Sequence, residues 1–147
     1  MTRTTFLALA IVVGNISLAT ADKPSRPAQV AILKTHLETL QKQEADAFLT
    51  VSEKGGDASV QLTNGKKTVS LNIAYYPSKQ KPAIALKSAG VTIPATWKQV
   101  GFDPGSFVAY EIPAGEIKDL PQFIHDIFIK FFKRKADYSI NCTIEQF

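Results

Sequence analysis

The sequence predicts an α+β protein: an antiparallel sheet, built from a three-strand meander and a hairpin, packed against an N-terminal and a C-terminal helix. Three observations predict it. Apolar residues recur at helical spacing from Val30 to Leu40 and again from Leu120 to Phe132. Between these stretches apolar and polar residues alternate, the period of a half-buried strand. Gly, Pro and Asn stand where one period gives way to the other. The expected order is α-βββ-α-ββ-α with a candidate final strand.

The first residues have a separate reading. Arg3, the apolar run Phe6–Val13 and the small-x-small stretch Ala19-Thr20-Ala21 form the three parts of a secretory signal peptide. The run is shorter than the ~20 apolar residues a membrane span requires, and Asn15 and Ser17 interrupt its end. Residues 1–21 are therefore expected to be removed, leaving 22–147 as a single α+β domain, secreted or periplasmic, with no membrane span in the mature chain. The net charge of +4 is mild, and its cations are dispersed except in the Lys130–Lys135 tract. That tract reads as the cationic end of a helix, where it complements the dipole. No basic stripe of the kind nucleic-acid binding asks for is present.

Each element of the domain has its own signal. Ser25 can cap a helix with Pro27 in the first turn. Val30, Leu33, Leu37 and Leu40 then give an amphipathic helix from about Arg26 to Ala45. Ala47–Glu53 is rich in strand formers and leads to the turn at Gly55-Gly56-Asp57. Ala58, Val60 and Leu62 alternate, Asn64-Gly65 signals a type I′ hairpin turn, and Val69, Leu71, Ile73 and Tyr75 alternate again. Ala83–Leu86 favours a short helix with Pro82 near its start and Gly90 as its stop. Asp103-Pro104-Gly105 suits a tight turn between strands Thr96–Phe102 and Ser106–Ile112. Asp119 is a plausible cap, with Pro121 in the first turn of a long helix. Its stripe comprises Leu120, Phe123, Ile124, Ile127, Phe128, Phe131 and Phe132.

The last alternation contains the single cysteine. Tyr138, Ile140, Cys142 and Ile144 share one parity, which places Cys142 on an apolar face as a small, inert hydrophobe. The competing readings are an intermolecular disulfide and a nucleophile, which would need a base in reach. Asn141-Cys142-Thr143 fits the N-glycosylation pattern, as does Asn15-Ile16-Ser17 within the signal. His36 and His125 have no ligand partners at recognised spacing and read as helix-surface or boundary residues. Phosphate-loop, dinucleotide and nucleophile-elbow patterns are absent. No cofactor and no metal are expected, and the chain reads as a non-enzyme.

Aromatic residues supply the candidate binding surface: Trp97, Phe102, Phe107 and Tyr110 crowd the second hairpin, and Tyr75 ends the meander. Aromatic clusters of this kind form core pairs and also mark interfaces. The order of elements, with the Ser88–Trp97 segment after the short helix and Phe107–Pro113 before the aromatic-rich helix, resembles the type III secretion chaperone-like superfamily, including its YbjN-like and TY-Chap relatives. The resemblance runs from about Arg26 to Lys135. It implies a small non-enzymatic protein, often dimeric, that holds a protein or peptide partner through its sheet face or helix surfaces. Export and the final strand depart from that pattern. The alternatives are a carrier holding an apolar ligand between the sheet and the Phe-rich helix, and a small hydrolase using carboxylates brought together by the fold.

Overall fold

The computed structural model describes residues 26–75 and 78–146. The signal-peptide reading, the Ser25 cap and the Asn15 pattern lie outside them. Chain order is α1 (Arg26–Gln41), β1 (Phe48–Glu53), β2 (Ser59–Asn64), β3 (Thr68–Ala74), α2 (Pro82–Ser88), β4 (Lys98–Asp103) and β5 (Phe107–Pro113). A 3-10 segment (Ala114–Asp119) then runs into α3 (Leu120–Asp126) and a π-helical segment (Ile127–Phe131), and β6 (Ile140–Glu145) follows. The predicted α+β class and order hold, including the final strand.

All strands join one six-stranded antiparallel sheet in the order β4-β5-β3-β2-β1-β6. The meander and the hairpin meet where β3 pairs with β5, Leu71 opposite Tyr110. In β1, β2, β3 and β5 one parity faces the helices and is buried: Leu49 and Val51, Val60 and Leu62, Val69, Leu71 and Ile73, Val108, Tyr110 and Ile112. The other parity, with Thr50, Ser52, Gln61, Thr63, Ser70 and Asn72, is half-buried and polar. This division follows from the two-residue period of the strand. Leu33, Leu37 and Leu40 of α1 are buried, as are Leu120, Ile124, Ile127, Phe128, Phe131 and Phe132. Each such side chain contributes about 1.5–3 kcal/mol of transfer free energy.

Several boundaries differ from expectation. α1 stops at Gln41, because the chain turns there to bring Ala47 opposite Asn64. The Asn64-Gly65 pair makes no type I′ turn: neither residue has positive φ. Gly65 instead donates its N–H to the Thr68 carbonyl at 2.9 Å, and a Cβ on it would lie 2.7 Å from that oxygen. Thr96 and Trp97 precede β4 rather than belonging to it, with Trp97 N–H bonded to the Pro94 carbonyl. Asp119 stands at the N-cap position of α3, as expected, but its side chain makes no cap, and a 3-10 segment from Ala114 already leads into the helix. The long helix also changes winding at Ile127, where Phe132 N–H reaches the Ile127 carbonyl at 2.9 Å. Tyr138 lies before β6, not in it, and its ring is buried.

Of the two histidines, His36 is half-buried, as a boundary residue is, and His125 departs from the surface or boundary reading. His125 is 1% exposed, with Nδ1 at 2.9 Å from the Tyr138 hydroxyl. Tyr138 in turn stacks on Phe128 at 5.0 Å, and its carbonyl accepts from the buried Gln29 amide. These contacts seal the seam between α1, α3 and the segment leading to β6.

Candidate functional site

α2 is a short helix with a firm stop. Gly90 takes φ 80°, its N–H bonds the Lys87 carbonyl, and Val91 N–H bonds the Leu86 carbonyl. This paired closure is a Schellman motif, which a Gly at that position permits. It turns the following residues, Val91 to Ile93, back towards the sheet beside Trp97 and Tyr110. Trp97 is fixed by its indole N–H, which donates to Glu116 Oε2 at 2.9 Å, and Thr96 Oγ1 donates to the same oxygen at 2.8 Å. The indole also meets Phe123 edge-on at 4.6 Å.

The result is a groove of 360 Å³ between α2 and the β4 end of the sheet, lined by Ala83, Lys87, Val91, Ile93, Trp97 and Tyr110 among others. Thr92 and Gln99 add polar groups to its wall. Burial pushes the Tyr110 hydroxyl up to about 12, with a smaller contribution from neighbouring Tyr75. Among the described residues, two of the three exposed large aliphatics stand next in sequence to groove residues: Ile84 after Ala83 on α2 and Val100 after Gln99 on β4, each 56% exposed. Val100 is the extra residue of a bulge between Gln99 and Gly101. Among the described residues β4 pairs only with β5, so the backbone groups along its other side have no strand partner there. A larger concavity of 530 Å³ near Lys54, Lys133 and Lys135 is lined mainly by charged and polar residues.

The five aromatic residues expected to bind are divided by the fold. Trp97 and Tyr110 line the groove. Tyr75 and Phe102 lie behind it in an aromatic stack: Tyr75 is fully buried, meets Phe102 edge-on at 5.3 Å and stacks on Phe131 at 5.4 Å. The Tyr75 hydroxyl donates to the Gln80 carbonyl. Phe107 has the parity of the opposite face, where its ring lies over Gly101. Tyr75 and Phe107 are therefore not groove residues. Sequence reasoning missed Ala83, Lys87, Val91 and Ile93; apolar residues in a loop directly before a tryptophan were the available signal.

Cys142 is half-buried on the helix side of β6, and burial pushes its thiol up to about 11. Among the described residues no cluster of His, Cys, Asp and Glu could hold a metal ion, and no helix is long and apolar enough to cross a membrane. Comparison with protein-family models, with curated proteins and with solved structures returns no match.

Proposed function

We propose that this chain is an exported, non-enzymatic binding module of the chaperone-like kind, holding an extended peptide or a protein partner in the groove between α2 and β4. The observation that carries this reading is the coincidence of three features at one end of the sheet. An apolar groove walled by Trp97 and Tyr110, two exposed aliphatics, and an edge strand with unpaired backbone groups lie together. An extended peptide can hydrogen-bond to such an edge while apolar side chains enter adjoining pockets. Work as a homodimer belongs to the same reading. The alternative carrier role is less favoured, because the layer between the sheet and the Phe-rich helix is filled: Ile124, Ile127 and Phe128 are each 0% exposed.

Trp97 is the single tryptophan of the sequence, so the groove contains its own fluorophore. Titration with extended apolar peptides is expected to shift Trp97 emission. Ile84→Asp combined with Val100→Lys, both at exposed sites, should weaken the response by about tenfold or more, as loss of apolar anchors does. Unchanged affinity in the double variant overturns the groove assignment. A fluorescent fatty acid that binds while every peptide fails overturns the peptide reading.

A further inference from the structure

β6 is an edge strand with no bulge and with a single charge, Glu145, at its end. It pairs with β1 at six consecutive positions, Glu53 opposite Ile140 through Phe48 opposite Glu145, with no bulge. Among the described residues its other side has no strand partner. The stretch Ile140–Glu145 contains no Lys, Arg, Pro or Gly. Bulges and charges are the usual protection against edge-to-edge pairing, and an unprotected edge is a template for another strand.

The residue types of β6 are symmetric about Cys142. Isoleucines stand at 140 and 144, and small polar residues at 141 and 143. We propose that β6 pairs antiparallel with β6 of a second copy about a two-fold axis through Cys142, joining two sheets into one. In that register Ile140 opposes Ile144 of the second copy, Asn141 opposes Thr143, and the two Cys142 side chains face each other. Every residue then keeps its face, as pairing requires, whereas a one-residue slip would set apolar against polar. Glu145 falls opposite Ser139, so no like charges meet.

The helix above supports the same occupant. α1 packs over β1 and β6. Val30, Lys34 and Glu38 face the groove shared with the 3-10 segment and α3. At about 100° per residue, Ile32 and His36 fall on the opposite flank, above the free β6 edge. Ile32 is the third exposed large aliphatic, at 38%, and His36 is half-buried. A second copy docked on β6 would cover both. Such an isologous contact uses the same patch twice and closes.

The inference rests only on the dimer part of the proposed function, and the α2–β4 groove can fail its own test without affecting it. Facing Cα atoms in an antiparallel pair lie about 4.5–5.5 Å apart, inside the disulfide range of about 4.4–6.8 Å. Oxidised glutathione can therefore report the register: two thiols lose two protons and two electrons to form one S–S bond, and the oxidant leaves as two molecules of glutathione. Incubation in mildly alkaline buffer is expected to give a covalent dimer that reverts on reduction, while Cys142→Ser remains a dimer by light scattering. Two further proteins test the pairing without the thiol. N141K/T143K and N141E/T143E should each dimerise at least about tenfold more weakly, because like charges then oppose across the axis. An equimolar mixture should recover the dimer as a heterodimer, which also establishes that both variants fold. A monomeric parent chain overturns the proposal. So does a dimer that forms no Cys142 cross-link and is indifferent to both double variants.

Discussion

The carboxamide of Asn64 donates to the carbonyls of Leu40 at 3.1 Å and Gln43 at 3.0 Å. These carbonyls belong to the end of α1 and the turn after it, where backbone acceptors lack intrahelical partners. The same residue exchanges backbone hydrogen bonds with the chain entering β1, through Asp46 and Ala47. One side chain thus holds helix, turn and hairpin together. Asn64→Ala is expected to lower stability by about 1–3 kcal/mol, two hydrogen bonds at about 0.5–1.5 kcal/mol each. The measurement is a urea transition whose midpoint falls while its slope stays constant; an unmoved midpoint would show that water replaces the amide at no cost. The sequence marked Asn64 as important for another reason, a left-handed turn. Local pattern could not reveal that its side chain reaches back more than twenty residues to the helix, a contact with a sequence separation of 24. The burial of His125 was hidden in the same way, since its partner Tyr138 lies beyond the helix.

At the scale of elements, alternation located β2, β3, β5 and β6 and helical spacing both main helices, because burial on one face leaves its period in the sequence, while β1 and β4 were legible from strand formers and the turns beside them. Boundaries and winding were less legible. The 3-10 start at Ala114 and the π-helical segment after Asp126 depend on how α3 must fit over the sheet, not on local propensity. Of the candidate site, Trp97 and Tyr110 were legible as aromatics beside a hairpin, but the opposite wall comes from α2 and its exit. That wall depends on Gly90. Its φ of 80° is costly for any residue with a Cβ, although the nearest atom to an added Cβ, Lys130 Cδ, is 3.9 Å away. Gly90→Ala should therefore cost about 1–2 kcal/mol through backbone conformation alone. It should also alter Trp97 emission, because Val91 and Ile93 would leave their places. A stability change with an unperturbed emission spectrum would separate the stop of α2 from the shape of the groove.

Across the whole molecule, burial acts on several groups that ionise at high pH. The Cys142 thiol moves from 9.0 to about 11, the Tyr110 hydroxyl from 10.0 to about 12, and burial also raises Tyr75 and Tyr138. Each group stays protonated in the folded chain where the unfolded chain has begun to ionise. Their contribution is complete below the unfolded values and is lost as pH rises through the folded ones. Urea midpoints should hold near neutrality and fall from pH 9.0 towards 12, and Cys142→Ser should soften the first part of the decline, between 9.0 and about 11. A midpoint that stays level across that window would mean these groups are hydrated in the native state. The topology also sets an order of events during synthesis. Gln29 of α1 meets Tyr138 across a separation of 109 residues, and β6 pairs with β1. A chain emerging from a ribosome therefore leaves one side of β1 bare and the α1–α3 seam unplugged until the 138–145 stretch arrives. Completion of the sheet and of that seam must wait for it, and through that interval the nascent polypeptide presents a bare strand side to whatever surrounds it.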